Sequence, residues 1–203
     1  MVVSLPKPRM VTFRKAPRSP LRHNATMPWL TLLLLTCGSE RWEVKVLRDP
    51  EAHEVDLGHV REASVSQLAG LPAPAYADRA RRVEAEKRVY AVAGYVMGYK
   101  LEQDGDVHIV VADAPDGSGP TFIAEIPSSD CLEGSRAQAP MEEARRAFLA
   151  LFQDRPPAAR YRPLRHPLPV LFTGVGFFDK LHAQKGVAPN GFELHPVLSV
   201  SRR

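Results

Sequence analysis

The chain is 203 residues long, about the length of one domain with an appendage. Hydrophobic residues make up 44% of it, enough to bury a core, and this excludes wholesale disorder. The formal charge of +4 suggests a nucleic-acid binder, but its distribution argues against one. Six of the 27 basic residues (Lys7, Arg9, Arg14, Lys15, Arg18 and Arg22) lie within residues 1–36, which contain no acid. The 21 that remain face 23 acidic residues. Residues 37–203 therefore carry −2 and lack the global field that draws a protein to phosphate backbones.

Residues 1–36 read as a targeting leader. A basic, Pro-containing start is followed by the apolar run Trp29-Leu30-Thr31-Leu32-Leu33-Leu34-Leu35 and then by Thr36-Cys37-Gly38-Ser39. That is the order of a secretory signal, and the run is too short to span a bilayer. The pattern predicts export to the periplasm or the extracellular space. The start before Met27 is long for such a signal, so Met10 and Met27 are alternative starts. Cys37 and Cys131 are the two cysteines, and in an exported chain they most simply pair with each other. Such a bridge would close about 95 residues, worth about 4–5 kcal/mol in the chain-entropy picture. Lipidation of Cys37 is the less favoured alternative, because Thr36 stands where a smaller residue usually precedes a lipidated cysteine.

In chain order, Glu40–Leu47 alternates with Trp42, Val44 and Val46 on one side, which predicts a short half-buried strand. Residues 51–87 are weakly patterned and are expected to wrap the outside, with one or two helical turns over Ser64–Leu71 stopped by Pro72 and Pro74. The basic run Arg79, Arg81, Arg82, Lys87 and Arg88, interrupted by Glu84 and Glu86, reads as a solvated face. Val89–Leu101 is a long strand whose interior Gly94 and Gly98 predict a bend or bulge. Gln103–Asp106 forms a hairpin turn, Val107–Asp113 returns, and Thr121–Ile126 is a third strand of this meander.

Ser128–Pro140 is then a loop holding Cys131. Met141–Phe152 is the one clear helix, with Met141, Ala144, Phe148, Leu151 and Phe152 on one face. A Pro-rich linker carries Arg160, Arg162 and Arg165, and two strands follow, Leu168–Phe177 and Phe192–Val200. The order strand, strand, strand, helix, strand, strand, with a bent first strand, predicts a mainly β fold. It is the order of an OB-fold-like, five-stranded Greek-key barrel with one helix between strands three and four, plus an N-terminal extension. The expected organisation is a leader over 1–36 and a single domain over 37–203, made of a wrapping segment (37–87) and the barrel (88–203).

Several motifs carry a resemblance. They are Thr173-Gly174-Val175-Gly176-Phe177-Phe178-Asp179, Leu181-His182 and Gly186-Val187-Ala188-Pro189-Asn190-Gly191-Phe192-Glu193-Leu194-His195-Pro196-Val197-Leu198. With them go Cys37-Gly38-Ser39-Glu40-Arg41-Trp42-Glu43-Val44-Lys45, Tyr99-Lys100-Leu101-Glu102 and Ile123-Ala124-Glu125-Ile126-Pro127. Over about residues 37–200 the chain resembles a family of exported bacterial proteins with no assigned activity. The resemblance implies a secreted single-domain protein and carries no catalytic residue onto this chain.

The candidate chemistry lies on the last two strands and their connection. The loop Phe178–Gly191 holds Asp179, Lys180, His182, Gln184, Lys185 and Asn190, and a loop of that length either caps the barrel or binds a ligand. In the last strand Glu193 and His195 have the parity opposite to Phe192, Leu194, Leu198 and Val200, so both are expected to point outward. His108 is likewise opposite to Val107, Ile109 and Val111. His108, His182, Glu193 and His195, with Asp104, Asp106 or Asp179, have the donor types for zinc or another divalent ion, though no pair shows a metal-motif spacing such as HExxH.

No G-x-S-x-G elbow is present, and Gly174-Val175-Gly176 lacks the context of a nucleotide loop. The leading expectation is an exported, monomeric, non-enzymatic module without a cofactor. It binds an unidentified ligand (a carbohydrate, a protein or a nucleic acid) through Asp179, Lys180, His182, Lys185, Asn190, Glu193, His195 and His108. The alternative is a divalent-metal hydrolase or nuclease built on the His/Glu/Asp set.

Overall fold

The computed structural model describes residues 37, 38, 40–75 and 81–203. The leader over residues 1–36 and Arg79 of the basic run lie outside the described residues. Six strands form one mixed sheet: β1 (Val60–Ala63), β2 (Val89–Leu101), β3 (Val107–Ala112), β4 (Thr121–Ile126), β5 (Arg162–Phe178) and β6 (Phe192–Arg202). Their order is β1-β2-β3-β4-β6-β5, and β5 also pairs with β2, so the sheet is partly ringed. β1–β2 and β4–β6 are parallel, and the other pairings are antiparallel. Among the described residues no helix is long and apolar enough to cross a membrane.

Strand alternation sorts the side chains onto two faces, and both are buried. Val92, Val96, Ile109, Val111, Phe122, Ala124, Phe172, Phe192 and Leu194 join one core, closed by Ala144 and Phe148 of a helix, α3 (Gln138–Leu151). A second apolar cluster includes Trp42, Val46, Leu47 and Val55 packed with Val89, Cys131, Met141 and Val175. The N-terminal segment thus lies over the face of the sheet turned away from the main core. The Cys37–Cys131 disulfide ties it there across 94 residues of sequence.

The bend expected in β2 is present. The register shifts between Val96 and Gly98 in the pairings with both β3 and β5. Gly98 is required there, because a Cβ would stand 2.7 Å from the Arg162 carbonyl oxygen of the paired strand. The turn expected over Ser64–Leu71 is a second helix, α2 (Val65–Ala69). Its capping box is complete: Ser64 Oγ accepts from the Gln67 amide at 3.1 Å, and the Ser64 amide donates to Gln67 Oε1 at 2.9 Å.

Several expectations are corrected. Glu40–Leu47 is not a strand; its centre is a short helix, α1 (Trp42–Lys45). Among the described residues no strand lies beside the alternating pattern to pair with it. Arg41 (φ 52°) and Leu47 (φ 57°) in the left-handed region turn the chain at each side of the helix, and the helical turn still brings Trp42 and Val46 to the same cluster.

The Pro-rich stretch before Leu168 is not a linker but the first part of β5. Pro163 pairs with Gly98 and Pro169 with Tyr95. Within 162–169, Arg162, Pro163, Leu168 and Pro169 pair with β2 alone, and β6 joins from Val170 onward, so prolines sit where one strand edge is free of a ladder. The segment 51–87 does wrap the domain, but it also contributes β1, four residues too short to signal a strand by periodicity. Arg82 does not belong to a solvated face. It is buried, with Nη2 donating to Asp49 Oδ1 at 2.6 Å and to the Val44 carbonyl at 2.8 Å.

Candidate functional site

On the face covered by the N-terminal segment, neighbouring strands place polar residues side by side. β3 supplies His108, β4 supplies Glu125, and β6 supplies Glu193 and His195. In the parallel β4–β6 pairing Ile123 lies opposite Glu193, so Glu125 and His195 are in line two residues further on. Asp106, just before β3, and Glu102, just after β2, approach from the hairpin between those strands. Lys45 of α1 comes down from above and reaches Asp179 Oδ2 at 3.4 Å. Trp42 and Phe177 stand edge-on to the His195 ring, at centroid distances of 6.5 and 5.8 Å.

The parity read from the sequence therefore holds for His108, Glu193 and His195 but not for Leu198, which packs on the second cluster because the β5–β6 register shifts around Gly174 and brings Val197 into the main core; the solvent exposure inferred from parity is wrong. His108, Glu193 and His195 do share the face opposite the main core, and all three are buried. The cover is supplied by residues far away in sequence, which local alternation does not register.

Glu125 is the hub. Its Oε1 lies 3.2 Å from His108 Nδ1, and its Oε2 lies 3.1 Å from His195 Nδ1. His195 Nε2 is 3.6 Å from Asp106 Oδ2. Neither contact of His195 has the alignment of a hydrogen bond, and both ring nitrogens lack a partner of that kind. Asp106 Oδ2 and both carboxylate oxygens of Glu193 are also buried without a hydrogen-bond partner among the described residues. Asp106 Oδ1, by contrast, accepts from the Ser128 amide at 2.8 Å. Unpaired buried polar atoms are costly, so so many in one place need an explanation.

The electrostatics follow from burial and crowding. Burial, then the nearby Asp104 and Glu125, raises the Asp106 pKa from 3.8 to about 8. Burial and the charges of Glu125 and Asp179 push Glu193 well above the ordinary carboxylate range. Burial likewise lowers His195 toward its neutral form. Burial would also raise Glu125, but the two imidazoles and Lys45 outweigh it and hold Glu125 well below the ordinary range. Burial disfavours the Lys45 ammonium, yet Glu125, Asp179 and Glu193 around it keep its pKa raised.

Two groups of donors converge on Glu125. Asp106, Glu125 and His195 each offer an atom within 4.8 Å of the others, and so do Glu102, His108 and Glu125. Imidazole with carboxylate is the donor set of zinc and similar divalent ions. A cavity of about 590 Å³ reaches the cluster from outside, lined among others by Cys37, Lys45, Glu102, Glu125, Asp179 and His182.

The remaining sequence candidates have other places. His182 is exposed at the cavity rim, with Nδ1 2.6 Å from the Lys180 carbonyl, and does not join the buried cluster. Lys180 is exposed. Lys185 is exposed and holds its ammonium 4.9 Å from the centre of the Tyr161 ring. Asn190 is buried and donates to the carbonyls of Leu68 and Leu71, so it pins the loop to α2 rather than facing a ligand. Asp104 lines the cavity. Sequence reasoning missed Glu125, Glu102 and Lys45. Glu125 carried a signal, as the one charged residue in the otherwise apolar strand β4, on the face opposite Phe122, Ala124 and Ile126. No known protein-family model and no curated protein matches the chain.

Proposed function

We propose that this is an exported, disulfide-stapled binding module with an OB-like barrel, and that its ligand is a divalent cation held by Asp106, Glu125 and His195. The OB-like reading is supported by five ring strands, β2 to β6, with α3 between the third and fourth of them. Export is supported by the leader pattern and by the Cys37–Cys131 bridge, since disulfides persist in oxidising compartments. The observation that carries the cation is the set of buried polar atoms that have no hydrogen-bond partner among the described residues: Asp106 Oδ2, both His195 nitrogens (one of them a lone pair in the neutral ring) and both Glu193 oxygens, gathered around an ionised Glu125. A cation satisfies such atoms together, and it would replace the protons that otherwise keep the acids neutral.

The loop over residues 178–191 then serves the site as a wall. It is anchored by Asn190 to α2, by Asp179 to Lys45, and by the Gly186 carbonyl, which accepts from Thr121 Oγ1 at 3.0 Å. The hydrolase reading is favoured by one feature, the cavity that reaches Glu125 from outside, because catalytic cations keep an open side.

The test is calorimetry of the full chain, stripped with a chelator and titrated with Zn²⁺. The wild type is expected to bind with micromolar or tighter affinity, and Glu125→Gln and His195→Asn to lose at least tenfold. Heat-silent titrations of a folded wild-type protein would sink the proposal. A nuclease and esterase panel run with the metal-loaded protein separates a plain cation module from a hydrolase.

A further inference from the structure

We infer that the centre holds two cations rather than one, with Glu125 as the carboxylate between them and Glu102 and His108 as the further ligands of the second. This rests on the reading above and extends it.

The geometry around Glu125 is two-sided. Each of its oxygens faces a different imidazole, Oε1 toward His108 at 3.2 Å and Oε2 toward His195 at 3.1 Å. A carboxylate arranged in this way offers one oxygen to each of two ions, and each ion then has its own histidine and its own second acid. On the His195 side that acid is Asp106, and on the His108 side it is Glu102.

The proton accounting at His108 points the same way. Its Nε2 lies 2.9 Å from the Lys185 carbonyl oxygen, which can only accept, so Nε2 carries the proton. In the neutral ring Nδ1 is then a lone pair. That lone pair faces Glu125 Oε1 at 3.2 Å and Glu102 Oε1 at 3.5 Å. Lys100 Nζ serves Glu102 Oε1, but His108 Nδ1 and Glu125 Oε1 are then two acceptors facing each other, and a proton (on the ring or on the carboxyl) or a cation must sit between them. Nε2–H donated to a backbone carbonyl with Nδ1 turned toward carboxylates is how proteins orient a metal-binding histidine. Glu102 Oε1 also lies 2.7 Å from Lys100 Nζ, so a cation entering here displaces that lysine or shares the oxygen with it.

Position favours entry as well. Glu102 and Glu125 both line the 590 Å³ cavity, so the second ion has a route from solvent that crosses no strand. Five carboxylates (Glu40, Glu102, Asp104, Glu125 and Asp179) against Lys45 and Lys100 give the cavity a net negative lining. Such a lining concentrates cations and disfavours anions. Mixed imidazole and carboxylate donors select borderline ions such as Zn²⁺ or Co²⁺ over Mg²⁺.

The experiment is equilibrium dialysis of the full chain against Co²⁺, read as bound metal per chain, on the wild type, Glu102→Gln, His108→Asn and His195→Asn. Circular dichroism confirms that each variant is folded. Glu102 is partly exposed, so its variant is the safeguard should the buried His108 substitution fail to fold. The expected result is two equivalents for the wild type and one for each variant, with magnetic coupling between the ions in the wild type alone. A wild type that binds one equivalent, unchanged in Glu102→Gln and His108→Asn, overturns the second site and leaves the first standing. Two equivalents that persist in Glu102→Gln place the second ion elsewhere and also overturn it. No bound metal at all refutes both sites.

Discussion

At the scale of the residue, the centre is a set of acids and imidazoles that the fold keeps buried, and their ionisation is coupled to stability. Asp106 shows the sign most simply. Its pKa rises from 3.8 in the unfolded chain to about 8 in the folded one, so between those values the folded protein binds more protons than the unfolded one. Metal-free protein is therefore expected to lose stability as pH rises through that window, by up to about 1.4 kcal/mol per pH unit for this one group. Asp106→Asn keeps an oxygen for the Ser128 amide and removes the titration. Urea unfolding with chelator present at about pH 5 and about pH 7.5 should show a shallower decline in the variant, with the remaining slope set by Glu193, whose raised pKa acts in the same direction, against His195, whose lowered pKa acts in the opposite one. A decline identical in the two proteins would show that Asp106 is not the strained group. At this scale the sequence was half legible. Alternation placed His108, Glu193 and His195 on a common face, but it gave no reason to bury them. It also gave no reason to bring Lys45 among the acids, because that contact joins residues 134 positions apart.

At the scale of the element, the strands of the meander and α3 were legible because each has its own pattern. β2 and β4 have the bounds their residue types imply, and β2 bends where Gly98 allows it. The elements that deceived are those whose form depends on a partner. Trp42–Lys45 alternates like a strand but lies on a sheet face instead of an edge, and so folds as a turn of helix. The start of β5 looks like a linker because of its prolines, and it is a strand because only one of its edges is used. The N-terminal segment carrying α1 is held by the Cys37–Cys131 bridge, by Arg41, which donates to Glu86 Oε1 at 2.7 Å and Oε2 at 2.8 Å, and by Lys45. Replacing both cysteines by serine is expected to cost about 2–5 kcal/mol in chemical denaturation. Because Cys37 lines the cavity, the same variant should also bind Zn²⁺ more weakly than the oxidised wild type. Unchanged affinity would show that the segment covers the site without shaping it.

At the scale of the whole molecule, the sheet has two buried faces with different contents. One is a continuous apolar core of β2 to β6 with α3. The other is partly apolar, under Trp42, Val46 and Leu47, and partly the polar centre around Glu125. Burying four acids (Asp106, Glu125, Asp179 and Glu193) and two histidines beside Lys45 lowers stability unless something further that is positive is bound among them. That imbalance is the physical basis for the cation. The most direct measurement is anomalous diffraction at the zinc edge from crystals of the full chain equilibrated with Zn²⁺. A peak is predicted about 2.0–2.2 Å from a nitrogen of His195 and from carboxylate oxygens of Glu125 and Asp106. A well-ordered Glu125 with no anomalous peak beside it, or zinc bound only at exposed histidines such as His182, would contradict the account.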